Sequence, residues 1–365
     1  MRVPLSWLRD YVDFDLPPER LAERLTVLGM EVQAIDRIGA EWSSIVVGEL
    51  LEVAAHPTAD RLSLTKVRVS ETDAPLSVVC GATNIAVGQR VPVALPGAVL
   101  PGGKQIGIST IQATPSQGML CSGSELGLTA DSDGILILAD GPGERAPRLG
   151  TSLEDVVGDV VLDIDVKPNR GDALSMIGLA REVAAISGTH VKWPPIEVPE
   201  SGDSTDDHLW VEVADKRLCP RFVGRYVDNL KIGPSPVRVQ LRLSAAGMRP
   251  VSNAVDASNY VMLEMGKPIH VFDAGSVSGG TIVVRPAHDD ETLETLDHVV
   301  RTLTPDTLVI ADSSGAIGIA GVMGGANSEV TAATTAAIVE SAIFDPVSFR
   351  RTAFRYGLRS EASLR

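Results

Sequence analysis

The sequence is short of aromatic side chains: Phe, Trp and Tyr together make up 4% of its 365 residues. Its cores must therefore be built from Val, Leu, Ile and Ala, and an apolar content of 44% is ample for that. Cysteine is scarce as well. The three cysteines, Cys80, Cys121 and Cys219, lie far apart, which excludes zinc-finger spacing and a disulfide framework and suits a reducing cytosol. No apolar run approaches the roughly 20 residues of a membrane span. The start, Met1 to Asp10, has no apolar segment followed by a small-residue cleavage site, so no secretory signal is expected. These absences predict a cytoplasmic protein with no membrane partner.

The chain also lacks positive charge overall: 32 Lys and Arg face 47 Asp and Glu, for a net charge of −15. That balance argues against a polyanionic partner. The distribution softens it. Lys216, Arg217, Arg221, Arg225, Lys231, Arg238, Arg242 and Arg249 follow one another with a single acid, Asp228, among them. Arg350, Arg351, Arg355, Arg359 and Arg365 crowd the other end. Such a face either holds a phosphate backbone, with strong salt dependence, or is simply solvated.

What the chain does have is 34 Gly and 23 Pro, hence many turns and much β structure. Its length predicts two or three domains. Residues 1–40 read as a small α/β piece: a helical turn over 6–11, a helix over 17–28 led by Pro17 and Pro18, and a strand over 30–38. From 43 to 148 the pattern changes to short strands at 45–54, 62–69, 76–80, 90–94, 106–111 and 135–138. That number of strands suits a small closed barrel, an OB-fold above all, with Ser122, Ser124 and Glu125 near its rim. An α/β pattern resumes with a strand at 160–166 and a helix to about 186 that Asp172 or Ser175 caps. This piece is expected to complete the fold begun by 1–40, making the barrel an insertion. A Pro- and Ser/Asp-rich linker leads to a third domain from about 200.

Within that domain, residues 249–273 read as strand, short helix and turn. Asp256 or Ser258 caps a helix that Gly266 ends, and Pro268 prevents its continuation. Arg249, Ser258, Asn259 and His270 are thereby spaced along two capped elements with apolar residues between them. Polar groups on a rigid apolar frame suit a small-ligand pocket; a satisfied buried network gives the same pattern. Small residues at Ala320, Gly321, Gly324 and Gly325 admit a ligand or a second backbone. Glu340 sits in an otherwise apolar strand over 336–341, which is costly without a partner. A basic helix begins near 344–348 and runs to about 354. The chain stops soon after Ser360 and Ala362, as if inside a continuing domain.

Taken together and in order, these motifs resemble the N-terminal portion of the bacterial phenylalanine–tRNA ligase beta-subunit family. The similarity rests on Val3-Pro-Leu-Ser-Trp-Leu, Leu95-Pro-Gly-Ala-Val-Leu with Gly118-Met-Leu-Cys-Ser, Pro168-Asn-Arg-Gly-Asp, and Asn259-Tyr-Val-Met-Leu-Glu. It continues through Lys267-Pro-Ile-His270, the run from Gly318 to Gly325, and Gly357-Leu-Arg-Ser-Glu-Ala-Ser363. The resemblance implies an α+β multidomain chain: a split α/β domain (1–40 and 150–199), an inserted OB-fold tRNA-binding domain (41–149) and a mixed α/β editing domain (200–365, truncated).

By the same resemblance the protein binds tRNA(Phe) and hydrolyses mischarged tyrosyl-tRNA, while the alpha subunit of an α2β2 heterotetramer performs aminoacylation. The alternative is a non-catalytic tRNA-binding module or a scaffold. The chain itself is expected to bind no cofactor; ATP and Mg2+ are implied for the full enzyme. Carried over by motif, His270, Asn259 and Glu340 are catalytic, and Arg249, Ser258, Ala320, Gly321, Gly324, Ser360 and Ala362 bind substrate. Ser258 and Ser360 stand where the family usually has Thr, Val271 replaces an Ala, and Thr114-Pro-Ser-Gln departs from the usual residues before Gly118. Phe354 and Tyr356 fall in a segment that is normally more basic.

Overall fold

The computed structural model describes residues 1–130, 134–139 and 145–365. It is mixed α/β and divides into two compact units. The first comprises residues 1–166, 182–190 and 235–250; the second comprises 167–181, 191–234 and 251–365. No helix among the described residues is long and apolar enough to cross a membrane.

In the first unit, β1 (Arg2–Pro4) leads into the single helical turn α1 (Leu5–Leu8), whose Trp7 is fully buried and donates its indole N–H to the Tyr11 hydroxyl at 3.1 Å. Helix α2 (Pro18–Val27) buries Leu21, Ala22 and Leu25. Leu28 is its half-exposed C-cap, because Gly29 turns the chain at φ +88° one residue later. Strand β2 (Glu31–Ile38) then runs out to the sheet.

Next comes a curled half-barrel. Its strands are β3 (Ser43–Ala55), β4 (Ser63–Arg68), β5 (Leu76–Cys80), β6 (Arg90–Val99) and, after the small hairpin β7 (Ser109–Ile111) and β8 (Thr114–Ser116), β9 (Met119–Leu120). They pair antiparallel in the order β5-β4-β3-β6-β9. Long β3 bends at register shifts, and Gly48 at its centre has no room for a side chain: a Cβ there would lie 2.5 Å from Val93 Cγ2. The sheet curls until edge strand β5 meets the segment before β9. The Gln117 amide donates to the Ser77 carbonyl at 2.8 Å, and the Val79 amide to the Ser116 hydroxyl at 3.1 Å. The unusual Thr114-Pro-Ser-Gln run is thus the seam.

The strand expected at 135–138 is absent. The Leu136 and Leu138 amides each donate to a neighbouring carbonyl, of Cys121 and Arg90, but no continuous ladder forms. The strand expected at 106–111 shrinks to Ser109–Ile111. Helix α3 (Leu153–Val157) follows, and β10 (Asp159–Asp165) inserts between β1 and β2, so the first and last strands of this region share one antiparallel sheet. Helix α4 (Met176–Ser187) is preceded by Ser175, whose hydroxyl accepts the Gly178 amide at 3.0 Å as expected of a cap.

In the second unit, β11 (Trp210–Val213) lies parallel to a later strand, β14, while β12 (Arg221–Val227) joins another sheet. Helix α5 (Val237–Ala245) belongs to the first unit, where Val237 shares a core with Leu138 and Leu153. Helix α6 (Asn253–Met265) is capped by Ser252, not by Asp256 or Ser258. Asp256 instead is fully buried and accepts the Val251 amide at 2.8 Å. After Gly266 the expected turn is short, and β13 (His270–Asp273) forms at once.

The remaining strands are β14 (Thr281–Pro286), the unforeseen hairpin β15 (Thr292–Glu294) and β16 (Val300–Thr302), then β17 (Leu308–Ala311), β18 (Ala316–Ile319), β19 (Met323–Gly324) and β20 (Ala337–Ile343). Helix α7 (Pro346–Arg355) is capped by Asp345 and followed by α8 (Glu361–Leu364). Five strands pair in the order β11-β14-β17-β18-β19, and three in the order β12-β20-β13. Between them lies a core of Leu209, Phe272, Ile282, Val284, Ile310 and Ile338.

Candidate active site

The site is built on β20. Alternation along a strand puts Ile338, Glu340 and Ala342 on one face, and all three are buried. Antiparallel register then sets Gly224 of β12 and His270 of β13 directly opposite Glu340, forming one row across three strands. Neighbouring Phe272 meets the His270 ring edge-on, with centroids 4.5 Å apart. An acid and an imidazole are therefore held side by side on the apolar side of a sheet.

Opposite them runs β19. A Cβ on Gly324 would lie 2.5 Å from His270 Cε1 and 2.7 Å from Nε2, so only glycine lets the imidazole sit there. The space left is a cavity of about 440 Å³ lined by His270, Glu340, Gly321, Gly324, Met323 and Ala362, with Phe344 and Phe349 completing an aromatic wall. That volume suits one amino-acid side chain and its backbone.

The electrostatics are unusual. Glu340 is 5% exposed, and its Oε2 is shut off from solvent with no hydrogen-bond partner. Burial pushes its carboxyl up to about 8, while the charge of Lys267 draws it back down. His270 is half-buried as a residue, but its Nε2 is shielded and also unpartnered. Burial pulls the imidazole down to about 4, so it is neutral near pH 7. Two unpaired polar atoms on residues that line one cavity are what a ligand with its own donors and acceptors would satisfy.

The structure gathers five of the ten expected site residues in this cavity: His270, Glu340, Gly321, Gly324 and Ala362. Ala320 lies behind it in the core, 2% exposed. Ser258 and Asn259 are on α6 and do not line the cavity; the Ser258 hydroxyl is spent on the Val255 carbonyl at 2.7 Å. Ser360 caps α8, donates to the Val322 carbonyl at 2.9 Å and does not line the cavity. Arg249 belongs to the first unit and is exposed. Val271 points to the other face of β13, so its methyl groups do not enter the site. Phe354 is 90% exposed, and the Tyr356 hydroxyl accepts the Thr304 amide at 3.2 Å.

Sequence reasoning missed Lys267, Met323, Phe344 and Phe349 as lining residues. For Lys267 the signal was present, a lone cation beside Pro268 in an apolar stretch. The basic segment of 216–249 is also less free than its composition suggests. Arg217 pairs with Asp215, Arg225 with Glu200, and Arg238 and Arg242 with Asp10.

A family model described as a B3/4 domain matches residues 218–365, the region that holds this cavity. Another, described as a putative tRNA binding domain, matches 45–145, the curled half-barrel. The phenylalanine–tRNA ligase beta subunit of Anaeromyxobacter dehalogenans is 47% identical over 365 residues, covering 100% of this chain and 45% of that protein. Those of Moorella thermoacetica and Geobacter metallireducens are each 45% identical, over 100% of this chain and 46% and 45% of theirs.

The chain belongs to the phenylalanine–tRNA ligase beta-subunit family. It spans about 45% of the length of these relatives. An N-terminal fragment of the phenylalanyl-tRNA synthetase beta-subunit from Pyrococcus horikoshii superposes at a TM-score of 0.31, with 18% identity over 55% of this chain and 62% of that one; so loose a likeness carries no weight. Within the beta-subunit family, the row Gly224–Glu340–His270 and the glycine at 324 are the parts of this chain on which a function of the B3/4 region can be built.

Proposed function

We propose that this chain is the tRNA-holding and editing part of a phenylalanine–tRNA ligase beta subunit. In this reading it releases tyrosine from mischarged tyrosyl-tRNA(Phe), and the alpha subunit of an α2β2 cytoplasmic assembly performs the ATP- and Mg2+-dependent aminoacylation. The half-barrel is the OB-fold tRNA-binding domain (41–149) inserted in a split domain (1–40 and 150–199), and 200–365 is the editing domain. One observation carries the editing reading: a buried glutamate with an unpartnered oxygen beside an unpartnered histidine nitrogen, both at one cavity.

An apolar pocket that selects phenylalanine cannot strongly refuse tyrosine, which only adds a hydroxyl; such discrimination is about 100-fold. A second site that requires the hydroxyl does better. The tyrosine O–H donates to Glu340, whereas a phenyl ring leaves the carboxyl buried and unpaired, at a cost of ~1–3 kcal/mol. Neutral His270 orients a water against the ester carbonyl carbon; Asn259 and Arg249, which the family resemblance also implicates, are not among the residues that line this cavity. As the water adds, the bond to the ribose oxygen breaks and that oxygen takes up a proton. Hydrolysis of tyrosyl-tRNA and phenylalanyl-tRNA by the chain and by its Glu340→Ala variant tests this. Loss of the tyrosine preference is expected; an unchanged preference refutes the assignment. Affinity for tRNA should fall with added salt, gently because several arginines are already paired; a flat response removes the basic face from the account.

A further inference from the structure

Lys267 lines the same cavity as Glu340 and His270, and Pro268 fixes the backbone directly after it. Its ammonium donates to the carbonyl of Ala342, two residues beyond Glu340 on β20. The lysine is therefore anchored to the strand that carries the glutamate, yet it leaves the inner carboxyl oxygen of Glu340 unbonded. Burial makes the lysine harder to protonate, and the charge of Glu340 offsets part of that; burial makes Glu340 harder to ionise, and the charge of Lys267 offsets part of that. Each charge is favoured by the presence of the other.

The other titratable or charged groups around Glu340 come from every packed element. His270 of β13 is directly opposite. Cys219, ahead of β12, feels the charge of Glu340 and has its thiol held up to about 11, mainly by burial. Arg350 of α7, exposed, and Arg365, bonded to Glu361 and to the Leu174 carbonyl, also line the cavity. On β12 the facing residue is uncharged Gly224.

We propose that Lys267 is a positioning residue that sets the charge on Glu340 and, through it, the preference of the cavity for an aromatic ring bearing a para-hydroxyl. The inference rests on the editing reading above. A phenyl ring laid over an ionised carboxylate strands a buried charge, whereas a phenol meets it with an O–H donor. Against a protonated carboxyl the difference shrinks, because a neutral group is easier to leave dry. The tyrosine-to-phenylalanine ratio should therefore rise with pH as Glu340 ionises. Without the ammonium that rise moves to higher pH.

The test follows the Glu340 carboxyl carbon by NMR, assigned with Glu340→Gln, in the chain and in its Lys267→Gln and Lys267→Arg variants. The ratio of tyrosyl- to phenylalanyl-tRNA hydrolysis is measured over the same pH range. In the unaltered chain both curves should inflect near 8. Lys267→Gln should move both to higher pH by about one unit or more, with a roughly tenfold lower ratio at pH 7, and Lys267→Arg should restore them. A carboxyl titration unmoved by Lys267→Gln overturns the role of the lysine. A titration that moves while the ratio stays put overturns Glu340 as the reader of the hydroxyl, and the role of Lys267 with it. Should Lys267→Gln not fold, the unaltered chain still decides: a ratio flat in pH while the carboxyl titrates overturns the proposal.

Discussion

Two glutamates in the second unit are both largely removed from water and have opposite fates. Glu291 receives both guanidinium nitrogens of Arg285 at 2.8 Å, the His288 amide at 2.8 Å and the Ala316 amide at 3.0 Å. The Arg285 side chain above all holds its carboxyl down at about 2. Glu340 has an oxygen with no partner, and burial pushes its carboxyl up to about 8. The first is a clamp: it ties β14 to β18, and every lone pair is used. The second is the opposite case, an unmet hydrogen-bonding capacity on a buried residue that lines a cavity. Such a loss is tolerated where a ligand can complete the set, which in the proposed reading is a substrate hydroxyl.

Breaking the clamp should have the largest effect. Glu291→Ala leaves Arg285 largely buried without its carboxylate, so stability should drop by about 3–5 kcal/mol in denaturant titration. A drop below 1 kcal/mol would erase the contrast. Glu340→Ala should instead cost little or no stability and remove ~1–3 kcal/mol of tyrosine preference in the deacylation assay. Ala362→Trp should fill the cavity and slow editing by about tenfold or more while unfolding stays unchanged; full editing activity in that variant places the pocket elsewhere.

The pH response sharpens the contrast further. Glu291 titrates in the fold below its ordinary 4.5, so its contribution is complete above about 4.5 and is lost as the pH falls toward 2. Glu340 titrates above 4.5, so the folded state holds the extra proton between 4.5 and about 8. Stability should fall as pH rises through that window and then level off. Glu340→Gln should abolish the fall, leaving the variant the more stable partner near pH 9 by about 1 kcal/mol or more. Parallel denaturation curves of the two proteins across that range would remove the case for a buried, unpaired carboxyl.

Much of the fold was legible in the chain. Helices with a proline at the start and a glycine at the end fell within a residue or two of their observed bounds, because caps act locally. The strand expected at 135–138 failed for the converse reason: its apolar residues are buried by the half-barrel without a continuous partner to pair with. The hairpin Thr292–Glu294 with Val300–Thr302 was hidden inside an acidic run that reads as loop. At the site, Glu340 and His270 stood out as polar residues in apolar surroundings. Ser258 and Ser360 were read as pocket residues, and the structure turns both hydroxyls onto backbone carbonyls.

By itself the sequence determined the capped helices, the family and the oddity of one acid in a greasy strand, since these depend on residue type and short spacing. Only the tertiary structure decided that residue 340 would meet residue 270 across a strand pair, with glycine 324 pressed against the ring. Such meetings are set by register and by the absence of a methyl group, and they join residues up to 70 positions apart that no local preference can bring together.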